Sequence, residues 1–167
     1  KHLPSACDAL EKAARDLLKL SINLKVNIDD SVRVTGFGLD GTVQGSVAVN
    51  SPYDRPTRLT GSLNLLGTYG TYGQKLRITR GIIQYNNAEV DEPLLNILAE
   101  RTIDSESMTV GLQITGPASK PKTQVISSAG LSENEALSWL MFGQPLNNVS
   151  AGDAETVNAK SMALNAG

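Results

Sequence analysis

The segment Leu20-Ser-Ile22-Asn-Leu24-Lys-Val26-Asn-Ile28-Asp alternates apolar and polar side chains without exception. A period of two is the signature of a β-strand, because successive side chains point to opposite faces; a helix would need a period near 3.6. The pattern recurs along most of the chain. Many such strands make a sheet with one apolar and one polar face, and the question that governs function is what covers the apolar one.

After Asp29-Asp30-Ser31, alternation resumes at Val32-Arg-Val34-Thr. Leu39-Asp40-Gly41-Thr42 reads as a two-residue hairpin turn, since Asp-Gly readily takes the positive φ angles of a type I′ turn. Pairing Leu39 with Thr42 predicts Val34 opposite Val47, Val32 opposite Val49 and Gly36 opposite Gly45. It also puts Phe37 and Leu39 on the other face, unless a bulge near Gly36 or Gly38 changes the parity. Beyond the Ser51–Pro56 loop, strands are predicted at Leu59–Leu66, Tyr69–Tyr72, Lys75–Thr79, Ile82–Tyr85, Leu94–Ile103, Met108–Thr115 and Pro121–Ser127. About ten short strands with short connections imply an antiparallel meander.

Helical spacing flanks the strands. Ser5–Leu18 carries Ala6, Cys7, Leu10, Ala13, Ala14, Leu17 and Leu18 on one stripe, with Ser5 and Asp8 as a capped start. Leu131-Ser132-Glu-Asn-Glu135 opens a second helix, with Ser132 as N-cap, Glu135 at the capping-box position and Gly143 as the stop. Ala136, Leu137, Leu140 and Met141 form its apolar stripe, with Trp139 and Phe142 beside it. Asp153–Leu164 has weak helical character. The chain divides into an N-terminal helix (1–19), a sheet (20–128) and a C-terminal helix and tail (129–167), all within one domain. The missing Met at position 1 reads as a fragment or processed product.

No chemistry stands out. The net charge of −2 gives no electrostatic reason to expect nucleic acid. Gly36-Phe-Gly38-Leu-Asp-Gly41 spells a dinucleotide fingerprint, but the next segment alternates like a strand where the fingerprint needs a helix. It reads as a hairpin with glycines. Asn148-Val-Ser150 is a sequon by spelling alone. His2 is the only histidine and Cys7 the only cysteine, so no triad, metal site or disulfide is expected; Cys7 reads as a small buried hydrophobe. Asp29-Asp30 and Asp91-Glu92 sit in turns as solvated carboxylates. No catalytic residue, cofactor or metal is predicted, and no apolar run reaches the roughly 18–20 residues that span a bilayer.

The apolar face is aliphatic, because only two Phe, one Trp and four Tyr are present. Pattern alone favours half of a sandwich, two sheets closing on each other. The rival is a sheet folded around a cavity for acyl chains. Each Leu or Ile left in water forfeits roughly 1.5–3 kcal/mol, and the predicted helices cover only part of a sheet that ten strands would make roughly 45–50 Å wide.

An ordered series of segments resembles a known family. Gly36-Phe-Gly38-Leu39-Asp40 leads to Gly61-Ser-Leu63-Asn-Leu65 and then to Gly67-Thr-Tyr69-Gly-Thr-Tyr72-Gly73-Gln74-Lys-Leu76-Arg-Ile78-Thr-Arg80-Gly81. Pro93-Leu-Leu-Asn-Ile97-Leu-Ala99-Glu-Arg101, Val110-Gly-Leu112-Gln-Ile114-Thr-Gly116 and Leu131-Ser132-Glu-Asn-Glu-Ala136-Leu137-Ser138-Trp139-Leu140-Met141-Phe142-Gly143 follow. From about residue 32 to 147 the chain is similar to the C-terminal domain of TamB, of the bacterial translocation and assembly module. Each motif alone is glycine plus alternating aliphatics; the order is what is specific.

The resemblance implies a mainly β fold: a single curved antiparallel meander folded into an open, apolar-lined trough (a β-taco), with short terminal helices. It implies an inner-membrane-anchored periplasmic protein of a Gram-negative bacterium that works with the outer-membrane Omp85-type protein TamA. The expected function is a non-enzymatic conduit for phospholipid acyl chains between the membranes, like AsmA-like and bridge-like lipid carriers. Ile22, Leu24, Val26, Ile28, Val43, Val47, Val49, Leu63, Leu65, Leu76, Ile78, Ile97, Val110, Leu112 and Ile114 would line the groove, and Leu63→Arg or Leu112→Arg should block it without unfolding the chain. Leu137, Trp139, Leu140 and Phe142 would dock the partner. The alternative is a periplasmic chaperone that holds unfolded outer-membrane or autotransporter strands by β-augmentation, which makes unfolded outer-membrane proteins a further candidate partner. A third possibility is a plain structural sandwich.

Overall fold

A computed structural model describes residues 6–18, 20–71 and 73–165. His2, Ser5 and Tyr72, each named in the sequence reading, lie outside the described residues. Helix α1 (Ala6–Leu18) precedes seven strands: β1 (Ile22–Gly36), β2 (Leu39–Ser51), β3 (Arg58–Thr71), β4 (Gln74–Ala88), β5 (Leu94–Ile103), β6 (Met108–Pro117) and β7 (Lys122–Ser127). Helices α2 (Glu133–Phe142) and α3 (Ala151–Asn165) follow. The strands pair antiparallel in chain order, and the sheet is not closed: β1 and β7 are its edges.

The meander is the expected one, but the ten predicted segments make seven strands. Three of the predicted breaks are irregularities inside long strands. Asp29–Ser31 forms a bulge between Ile28, opposite Gly45, and Val32, opposite Val43. Gly67 lies within β3, opposite Gly41 and Ile78. On β4, Ile78 faces Ala99 while Arg80 faces Leu98, so Thr79 and Arg80 both turn to the polar face and the face parity changes there. Bulges kink a strand and increase its local twist, which curves a sheet without ending it.

The first hairpin also differs from its prediction. Its central residues are Phe37 and Gly38, at φ 51° and 87°, and Gly36 pairs with Leu39. Val34 therefore faces Gly41, and Val32 faces Val43. The amide of Gly70 donates to the Gly38 carbonyl (2.8 Å) and fixes the turn to β3. Asp40 leaves the turn position and pairs with Arg33 across the strands, at 3.2 Å. Leu39 thus shares the face of Val34 instead of opposing it.

Helix α2 begins and ends where its caps predict. Ser132 accepts from the Glu135 amide at 3.3 Å, and Gly143 closes the helix at φ 70°. The Glu135 carboxylate, however, accepts from the Leu146 amide (3.1 Å), tying the helix to the following turn. Helix α3 is longer than its weak signal suggested. Ser150 accepts from the Asp153 amide (3.1 Å), Val157 is fully buried, and Asn165 donates to Glu133 of α2 at 3.1 Å. On α1, Cys7 is exposed, as are Leu10 and Ala13. The expected burial of Cys7 fails because nothing covers that part of the stripe among the described residues.

Candidate functional site

Side chains directly opposite one another on paired strands share a face. Leu24 faces Val49, Val26 faces Val47, Ile28 faces Gly45, and Ile22 faces Ser51. Val43 then faces Leu65, and Gly45 faces Leu63. Farther on, Leu76 faces Tyr69, Ile78 faces Ala99, Ile97 faces Ile114, and Ala99 faces Leu112. Val110, opposite Arg101, completes the set. All the residues expected to line a groove therefore stand on one face, carried through the β4 bulge by its paired outward residues.

That face is two surfaces. Over the later strands it is roofed by the chain's own helix. Leu65, Leu76, Ile78 and Val110 join Ala136, Leu137, Leu140, Met141 and Val157 in the hydrophobic core, and Val43, Ile97 and Leu112 pack against it. Leu76 and Val110 are 0 % exposed. Toward β1 the roof stops: Leu24, Val26 and Val32 are 56 %, 44 % and 51 % exposed, and Ile22, Ile28, Val49, Leu63 and Ile114 are half-buried. Val47, between Val26 and Gly61 on the neighbouring strands, is buried.

The docking residues divide the same way. Leu137 and Leu140 are each 1 % exposed, so the two central members of the expected surface are committed to the core. Trp139 and Phe142 lie at the margin, partly buried against it. The expected charge block is corrected similarly. Leu63 is free of the core cluster, but Leu112 packs on it, and an Arg there would disturb the fold itself.

On β1–β3 the open face carries almost nothing polar. The exceptions are Tyr69, which packs on the core, Thr71 at the end of β3 opposite Gln74, and Ser51, which is buried beside Thr57 with 2.7 Å between hydroxyls. A small molecule with polar groups would find few partners there; a hydrocarbon chain needs none. Among the described residues, no group of three or more His, Cys, Asp or Glu is placed to hold a metal.

Several residues of this face were missed from sequence, among them Val34, Leu39, Leu59 and Ile83, and two more are instructive. Val32 was omitted although it continues the alternation of β1. Arg101 was omitted although it follows Leu95, Ile97 and Ala99 at a period of two. A charge at an apolar position was the available signal, and the structure gives it a role in holding α2.

A family model for the TamB C-terminal domain matches residues 8–167. The chain is 28 % identical over 151 residues to the translocation and assembly module subunit TamB of Haemophilus influenzae, which covers 88 % of this chain and 11 % of that protein. The chain thus spans about a ninth of the length of that relative. With the family model matched over nearly its whole length, the chain belongs to the TamB C-terminal domain family.

Proposed function

We propose that the open part of the apolar face is a groove for phospholipid acyl chains, and that the chain serves as one stretch of a non-enzymatic lipid conduit within a periplasmic translocation and assembly module. One observation carries the reading: Leu24, Val26 and Val32 stand in solvent beside the aliphatic side chains of β2 and β3, on the face that α2 leaves bare. Burial contributes about 0.8 kcal/mol per methylene, so an acyl chain laid along the groove gains several kcal/mol. The lack of polar anchors lets it slide. Family membership supports a part in the module, with TamA of the outer membrane as the proposed partner and Trp139 and Phe142 as the accessible residues for docking.

Organic extraction of the purified chain followed by mass spectrometry tests this. Stoichiometric phospholipid is expected, with a large loss in Leu63→Arg, since an Arg on a lipid-facing strand position costs roughly 2–4 kcal/mol. A wild-type extract free of lipid would contradict the reading.

A second reading has its own observation. Strand β1 is long, and its outer edge has no partner strand among the described residues, the geometry that β-augmentation uses. Protection of β1 amides by a strand peptide, with no lipid in the extract, would favour the chaperone.

A further inference from the structure

Phe37 occupies the first central position of the β1–β2 turn at φ 51° and is 105 % exposed. Bulky L-residues resist that conformation, and turns of this kind normally take Asn, Asp or Gly there. The next residue leaves no latitude. A Cβ at Gly38 (φ 87°) would lie 2.3 Å from the Gly70 carbonyl oxygen, so the turn is held in its positive-φ form. The ring gains no packing in return for its backbone strain. An aromatic side chain kept where folding disfavours it, with its whole surface in water, points outward to a partner.

The surroundings say which kind. The Gly38 carbonyl is bonded to the Gly70 amide, and Gly70 faces Lys75 on β4. Phe37 and Lys75 therefore stand at one level of the sheet rim, about two strand spacings or roughly 10 Å apart. Arg77, one step behind on the polar face, is exposed like Lys75. Both border a shallow depression of about 800 Å³ that Thr68, Thr79 and Glu100 also line. Of the acidic groups nearby, Glu100 stands opposite Arg77 and accepts from the Thr79 hydroxyl at 2.7 Å. Asp40 beside the tip pairs with Arg33 at 3.2 Å, and Asp104 and Glu106 lie at the β5–β6 turn of the same rim. Lys75 is thus the cation without a facing carboxylate on its paired strand position. In a chain of net charge −2, this corner couples an exposed aromatic tip to two exposed cations.

We propose that the Phe37 hairpin tip is a membrane-contact element. The ring enters the interfacial layer of an anionic phospholipid bilayer while Lys75 and Arg77 meet its phosphates. The proposal is independent of the acyl-chain groove.

Flotation of the full chain with phosphatidylethanolamine vesicles, with and without phosphatidylglycerol, tests it. The wild type should bind, and more tightly when phosphatidylglycerol is present. Phe37→Gly should lower the partition coefficient about tenfold while holding or raising the melting temperature, because glycine suits the turn. Phe37→Trp should retain binding. Lys75→Gln and Arg77→Gln should each cost about fivefold and reduce the preference for phosphatidylglycerol. Wild-type partitioning by Phe37→Gly would overturn the proposal. So would a wild type that ignores both vesicles, which would leave a protein pocket as the ring's partner. Neither failure bears on lipid extracted from the groove.

Discussion

The Nη1 atom of Arg101 donates to the carbonyl oxygen of Trp139 at 3.1 Å, joining β5 to the last turn of α2. The same carbonyl accepts from the Gly143 amide at 3.0 Å. Arg101 is the one charged side chain that the register places on the apolar face among the described strands. Its position suits the charge, since the C-terminal end of a helix carries partial negative charge and exposed carbonyls. The residue that looks out of place on the face is thus part of what holds the helix over it.

Arg101→Met keeps an aliphatic stem and removes the charge-assisted bond. A hydrogen bond to a charged group contributes about 1.5–3 kcal/mol, so urea unfolding should report a loss of about 2 kcal/mol. Trp139 is the only tryptophan, and its emission should shift to the red as α2 loosens. A variant matching the wild type in both measurements would show that α2 is held by its apolar contacts alone.

Glycines on the apolar face let β2 and β3 approach closely. Gly45 adopts φ 144°, and a Cβ there would lie 2.3 Å from the Ser62 carbonyl oxygen. Gly36 has nearly the same φ, 140°, with nothing within 4 Å of its Cβ position. The pair separates backbone strain from steric conflict. Gly36→Ala should cost on the order of 1 kcal/mol from strain, and Gly45→Ala should cost at least about 2 kcal/mol more as backbone is forced apart. Equal losses in thermal unfolding would refute the close-approach role.

Tyr85 donates its hydroxyl to the Val90 carbonyl at 2.7 Å and so pins the β4–β5 connection. Burial, and then the negative charge of Asp91, raise its pKa above the ordinary value. The neutral phenol is therefore the form the fold favours. Its contribution is fully present below the unfolded-state pKa of about 10 and is lost as pH rises through the higher folded value. Stability of the wild type should fall more steeply in that alkaline range than that of Tyr85→Phe. At neutral pH the variant should be weaker by about 1 kcal/mol. Parallel pH profiles for the two proteins would contradict this.

Much of the fold was legible because alternation reports directly on faces. The groove residues were chosen by period two, and the register puts every one of them on a single face, even though the first turn was misplaced by three residues. The segments that misled were those whose composition serves both turns and bulges. Asp29-Asp30-Ser31 and Arg80-Gly81 look like strand ends and in fact bend strands that continue. Phe37-Gly38 was passed over because Asp40-Gly41 has the better local turn chemistry. What decided between them is the bond from Gly70, a residue on another strand that no local pattern contains. The N-cap Ser132 and the stop Gly143 of α2 were local and were read correctly, whereas Glu135 turns to the Leu146 amide, which the capping box does not contain. The position of the helix over β4–β7 is a tertiary fact. It moves Leu76, Val110, Leu137 and Leu140 from candidate binding surface to core, and confines the open site to the β1 side.

The face alternation of β1 also allows the most direct test of the acyl-chain groove. A photo-crosslinking amino acid placed at Leu24 or Val26 would stand on the open apolar face, while at Lys25 or Asn27 it would stand on the polar one. After irradiation in cells, phospholipid adducts are predicted at 24 and 26 and should be near background at 25 and 27. Equal labelling at all four positions, or peptide adducts without lipid at 24 and 26, would contradict the proposal that this face carries acyl chains.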